Sequence, residues 1–163
     1  VPTDGYDYLI GSVHYLDVGT TVKGFDGGVE STLEYINTYF GGSGMAFARK
    51  YFETLAQFPK KGQYDILGHF DLITKHLETR NFFDTTSKQY RAYALEALHT
   101  LKETCPVFEI NTGVIPRGYR DTPYPAPHIL EYIRSRGGKF ILAGDVHRSE
   151  NLCYGFDEWG KLI

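Results

Sequence analysis

Four short β-prone runs, each separated from the next by stretches of helical periodicity, constrain this chain more than any other feature. The runs are residues 8–13, 64–67, 107–110 and 139–143. Between the first two, Val29, Leu33, Ile36 and Phe40 recur at helical spacing. Phe47, Tyr51, Leu55 and Phe58 do the same behind Ser43, whose hydroxyl suits a helix cap. Tyr90, Ala94, Ala97, Leu98 and Leu101 form the clearest amphipathic stripe. A further helix is expected over 127–136, opened by a proline whose fixed φ suits a first turn and closed by Gly137-Gly138. One or two short helices are expected after the last run. Strands alternating with helices pair in parallel through right-handed crossovers. The expected class is therefore α/β, either an open sheet or part of a (β/α) barrel. A closed barrel takes roughly 250 residues, and this chain has 163 in what reads as a single domain over 1–163.

The chemistry is concentrated where the strands end. The first run closes on Gly11-Ser12-Val13-His14, the second on Gly68-His69-Phe70-Asp71, and the fourth on Gly144-Asp145-Val146-His147; the third contains Glu109 and leads into Asn111. In parallel α/β folds the carboxyl ends of the strands share one rim, and sites are built there. His14, His69, Asp145 and His147 are thus candidates to meet although far apart in sequence. Imidazole and carboxylate together are a ligand set for Zn²⁺, Mn²⁺ or Fe. Asp145 and His147 are two residues apart, so in extended backbone they face the same way. A lone histidine at a strand end is usually a hydrogen-bonded structural residue; its recurrence on three strands points to a metal site. His76, His99 and His128 fall on helices or loops and read as surface residues. Glu109 is either a buried acid that orients a ligand histidine or a structural ion-pair partner.

The segment between Asn111 and Pro125 is long for a connection of this kind and carries Arg117 and Arg120 among glycines and tyrosines. An arginine fork binds phosphate through two parallel hydrogen bonds, and beside a metal cluster it suits a phosphate ester; the alternative is a solvated surface pair. Residues 16–28, with four glycines, read as a mobile flap or a plain loop and match neither a P-loop nor a dinucleotide fingerprint. The net charge of −3 gives no basic field for nucleic acid or an anionic membrane, and no apolar run is long enough for a membrane span. Cys105 and Cys153 sit in no metal or redox spacing, which fits a reduced, cytoplasmic protein.

The stretches GSVHYLD, DILGHFDLI, EINTGVIPRGYRDTPYP and AGDVHRSENLCYGFDE, in this order, resemble the PHP (polymerase and histidinol phosphatase) superfamily, and most of all its bacterial histidinol-phosphatases. The resemblance implies a distorted (β/α)7 barrel, a trinuclear centre of divalent metal ions, and hydrolysis of L-histidinol phosphate to L-histidinol and phosphate in histidine biosynthesis. It places His14, His69, Asp145 and His147 at metal-ligand positions, with Asp145 and His147 also serving catalysis. It gives the phosphate to an arginine of the RGYR loop, Arg117 first and Arg120 second. Members of the superfamily begin with an H-x-H strand and a bridging Glu that this chain lacks, and continue past its end by a strand and a helix. The expectation is a partial domain, close to inactive alone and open to self-association through unpaired strand edges. Two other readings remain: a PHP phosphoesterase or nuclease acting on nucleotides or DNA ends, which the charge disfavours, and a non-catalytic anion-binding remnant.

Overall fold

A computed structural model describes residues 4–102, 104 and 107–163. Cys105 lies outside the described residues. Four strands form a parallel sheet: β1 (Ile10–Gly11), β4 (Ile66–Leu67), β5 (Val107–Asn111) and β6 (Lys139–Ala143), in the spatial order β1-β4-β5-β6. The order follows the sequence, so each crossover joins neighbouring strands. β5 and β6 pair along their whole length, from Val107 opposite Lys139 to Asn111 opposite Ala143. β5 is nearly all buried, Glu109 and Asn111 included, as befits a strand covered on both faces.

The remaining two strands correct the reading of residues 16–28 as a flap or a plain loop. β2 (Tyr15–Asp17) and β3 (Val22–Gly24) form an antiparallel hairpin, anchored by Leu16 and by Phe25 just beyond it, both in the core. The helices α1 (Val29–Phe40), α2 (Gly44–Ala56), α3 (Lys88–Lys102) and α4 (Pro127–Ser135) stand where the apolar spacing places them. The Ser43 hydroxyl caps α2 by accepting the Ala46 N–H at 3.1 Å. Phe58, counted in the stripe of α2, belongs instead to a separate 3₁₀ turn, Phe58–Lys60. Gly137, at φ 78°, turns the chain out of α4 in a conformation that glycine adopts without penalty. A short helix α5 (Phe156–Trp159), flanked by two 3₁₀ turns, ends the chain.

The core is aromatic. Phe47, Tyr51 and Phe52 of α2 pack edge-on or tilted against Phe25, Tyr35, Phe70 and Tyr90, with ring centroids 5.4–5.9 Å apart. This layer holds the helices against the sheet and leaves the carboxyl ends of the strands open. Among the described residues, no helix is long and apolar enough to cross a membrane.

Candidate active site at the strand ends

A cavity of about 440 Å³ opens at the carboxyl ends of the four parallel strands. His14, His69, Glu109, Asp145 and His147 all line it, together with Arg117. Three of the described residues other than glycine have positive φ, and two of them are His69 (21°) and Asp145 (41°). Such backbone costs on the order of 1–3 kcal/mol and persists only where the surroundings impose it. At both positions the chain turns sharply out of a strand so that the side chain faces the cavity.

The inner wall is built first. The His69 N–H donates to Glu109 Oε2 at 2.7 Å, and the Asn111 amide donates to the same oxygen at 3.2 Å. Glu109 is 4 % exposed, and burial raises its pKa against the pull of these two donors. Glu109 contacts His69 through the backbone N–H and not through the ring, so the acid braces the strand end that carries the imidazole. The His69 ring is also buried. Burial, then the neighbouring His14, lowers its pKa to about 4, so the imidazole is neutral at pH 7. Its Nδ1 is buried without a hydrogen-bond partner. His14 packs edge-on against it, with centroids 4.8 Å apart. His14 Nδ1 donates to Asp26 Oδ2 at 2.9 Å, which leaves Nε2 as the lone-pair nitrogen, 3.1 Å from the Ser12 hydroxyl. The bond to His14 holds the Asp26 carboxyl below its ordinary pKa, although partial burial opposes this.

The outer lip is more open. The Asp145 and His147 side chains are 41 % and 60 % exposed. Arg117 reaches both: Nη2 donates to Asp145 Oδ2 at 3.1 Å, and Nη1 lies 3.2 Å from His147 Nδ1. That nitrogen is also 2.7 Å from the Asp145 carbonyl oxygen. A ring nitrogen cannot donate and accept at once. The shorter contact makes Nδ1–H the donor to the carbonyl and leaves Nε2 to face a ligand. Arg117 Nε donates to the Gly113 carbonyl at 2.7 Å. Gly113 is required here, because a Cβ would overlap the Gly144 carbonyl where the loop crosses the end of β6.

Not every expected residue comes to the cavity as foreseen. Arg120 is buried elsewhere and does not line it: Nη1 donates to Thr74 Oγ1 at 2.6 Å, Nη2 donates to Thr122 Oγ1 at 3.2 Å, and the guanidinium stacks on Tyr124. His76 is not a surface residue. It is 4 % exposed, with Nε2 2.7 Å from the Gly27 carbonyl. His99 and His128 are exposed, as expected. Two lining residues have no signal in the sequence: Asp26, a lone acid after a glycine-rich stretch, and Lys75, whose Nζ donates to the Asp26 carbonyl at 2.7 Å. Burial lowers the pKa of Lys75.

The donors fit a divalent cation in kind. A neutral buried imidazole with an unpaired nitrogen and a carboxylate-oriented imidazole are what such an ion binds. They do not amount to a closed site, because among the described residues no three His, Cys, Asp or Glu side chains stand close enough to hold a metal ion. The inner pair and the lip pair face one cavity from two sides.

No family model matches the chain. It is 31 % identical to a Deinococcus radiodurans protein named "Probable histidinol-phosphatase", over 97 % of this chain and 54 % of that protein. Its fold is that of a crystal structure from Listeria monocytogenes, of a protein named as a candidate histidinol phosphatase. The TM-score is 0.77 at 17 % identity, over 92 % of this chain and 57 % of that one. The chain spans about half the length of these relatives. With the motifs GSVH and D-x-H at the rim of one parallel sheet and 97 % of its own length aligned to a curated relative, this chain is a homologue of the PHP-type histidinol-phosphatases.

Proposed function

We propose that the chain carries the strand-end wall of a metal-dependent phosphomonoester hydrolase that cleaves L-histidinol phosphate to L-histidinol and phosphate in histidine biosynthesis, and that its sheet is one sector of a distorted (β/α)7 barrel. The sequential strand order, that of consecutive staves, supports the barrel. One observation carries the activity: imidazoles from three strand ends and a guanidinium from the longest loop line a single cavity. The name of the curated relative supplies the substrate.

His14, His69, Asp145 and His147 would hold divalent cations (Zn²⁺, Mn²⁺ or Fe), as part of a trinuclear centre completed from outside these residues; such ions supply Lewis acidity and a water deprotonated near neutral pH. The chain's own residues do the rest. Asp26 and the Asp145 carbonyl fix the tautomers of His14 and His147. Glu109 holds the His69 backbone. Arg117 exchanges its contact with Asp145 for the phosphoryl oxygens, to which its fork presents two parallel donors, and the Lys75 ammonium adds charge on the same side. Hydrolysis breaks the ester P–O bond, forms one to the water oxygen, and returns a proton to the departing alcohol. Asp145, a carboxylate at the open lip, is the group we assign to passing that proton, because both ring nitrogens of His147 are taken, Nδ1 by the Asp145 carbonyl and Nε2 by the cation it would hold.

The test is turnover by the full gene product loaded with Mn²⁺, on histidinol phosphate beside an oligonucleotide with a terminal phosphate. Turnover of histidinol phosphate, abolished in His147→Ala, is expected; cleavage of the oligonucleotide alone would overturn the reading.

A further inference from the structure

Two residues past His69, Asp71 is completely buried. Its Oδ2 accepts the Ala126 N–H at 3.0 Å and lies 3.7 Å from the Arg120 guanidinium, itself 6 % exposed. The Thr74 hydroxyl joins them, accepting from Arg120 Nη1 at 2.6 Å while donating to the Asp71 carbonyl at 2.7 Å. The guanidinium stacks on Tyr124, 4.5 Å from the ring centroid. Tyr124 in turn pairs its backbone with Asn111 at the end of β5, at 2.8 and 3.0 Å. One buried ion pair thus fastens three separate pieces: the segment leaving β4, the loop that carries Arg117, and the end of β5. Both cations of the cavity hang from the fastened pieces. Lys75 directly follows Thr74, and Arg117 precedes Arg120 by three residues.

A buried ion pair is an inefficient way to stabilise a fold, because desolvation offsets most of the attraction. It is an effective way to fix the relative placement of two segments, since breaking it leaves a charge without a partner. We propose that Asp71 and Arg120 are positioning residues, whose role is to hold the Arg117 guanidinium at the height of His69 so that it meets the phosphoryl group. This rests on the assignment of Arg117 to phosphate made above. Arg120 contacts neither substrate nor reacting atoms; it acts through Arg117.

A double-mutant cycle separates that role from general support of the fold. The probe is inorganic phosphate as a product inhibitor of the full gene product loaded with Mn²⁺, read beside KM and the melting temperature. Arg120→Gln is expected to raise the inhibition constant and KM about tenfold, the scale of a small misplacement. In an Arg117→Ala background the same substitution is expected to change both by less than about twofold, because coupled residues are not additive. Arg120→Lys, which keeps the charge, is expected to recover part of the loss. If Arg120→Gln does not fold, Thr74→Val replaces it; that change removes the acceptor of the short bond at nearly constant volume and is expected to show the same cancellation. An equal fold-loss in both backgrounds, or wild-type constants in a folded Arg120→Gln protein, would overturn the positioning role alone. Wild-type constants in Arg117→Ala would instead overturn the phosphate assignment and the proposal with it.

Discussion

His69 and His147 close strands of the same sheet and face the same cavity, yet the first is 8 % exposed and the side chain of the second is 60 % exposed. The difference follows from sheet position. β4, which delivers His69, has a neighbour on either side, so its carboxyl end is roofed by β5 and by the β1 segment. β6, which delivers Asp145 and His147, is an edge strand among the described residues. Burial on the inner side removes protons from imidazole and raises the pKa of Glu109, so the groups there are set before any ligand arrives. On the lip, Arg117 and Asp145 satisfy each other in water-accessible contacts, which cost little to exchange. The inner wall is preorganised and the lip is adjustable, which suits an ion-binding floor beneath a phosphate-accepting mouth.

The largest effect should come from breaking the floor. His69→Ala in the full gene product loaded with Mn²⁺ is expected to lower kcat/KM by at least about 10³-fold, roughly 4 kcal/mol of transition-state stabilisation, with a far smaller change in melting temperature. A fall below tenfold would place His69 among the structural histidines.

The next contrast is in protonation. In the metal-free chain, an NMR titration should find His69 neutral down to a midpoint near pH 4. Its folded pKa is depressed, so the unfolded chain binds the extra proton first. The stability contributed by the neutral ring is fully present above about pH 6.5 and is lost between there and pH 4, by up to about 3 kcal/mol. Urea melts across that range check the slope, and a titration midpoint near 6.5 would show that the floor is wetter than its packing indicates.

Glu109→Gln tests the layer behind the floor. Losing the carboxylate that holds the His69 backbone should lower activity about 10- to 100-fold, as such orienting partners typically do. The smallest effect belongs to the lip. Asp145→Asn removes an ion pair that is exposed at Asp145 and half-buried at Arg117, so unfolding free energy from urea melts should change by less than about 1 kcal/mol; a larger loss would mean that the lip is as fixed as the floor.

What the residues alone disclosed follows the same division. β6 was legible because an apolar run such as Phe140-Ile141-Leu142, closed off by Gly138 and Gly144, has few alternatives to a strand. The strand-end histidines were legible because glycine before them marks where a strand stops. The hairpin of β2 and β3 was not, since three-residue strands are too short to show alternation and their glycines read as loop. Asp26 was hidden with it, because the hairpin is what carries that carboxyl back to His14, 12 residues away. Spacing could not rank Arg117 above Arg120 by orientation either. The choice is made by Asp71 and Thr74, remote in sequence, which draw Arg120 inward and leave Arg117 at the mouth. His76 and Lys75 were obscured for the same reason, their partners being backbone carbonyls at Gly27 and Asp26 that carry no sequence signal.

The most direct measurement is anomalous diffraction at the manganese edge from crystals of the full gene product loaded with Mn²⁺. The prediction is anomalous density within this cavity, with ring nitrogens of His69 from the floor and His147 from the lip among the ligands. Density lying outside the cavity, or imidazoles of His69 and His147 bonded only to protein in the loaded crystal, would contradict it.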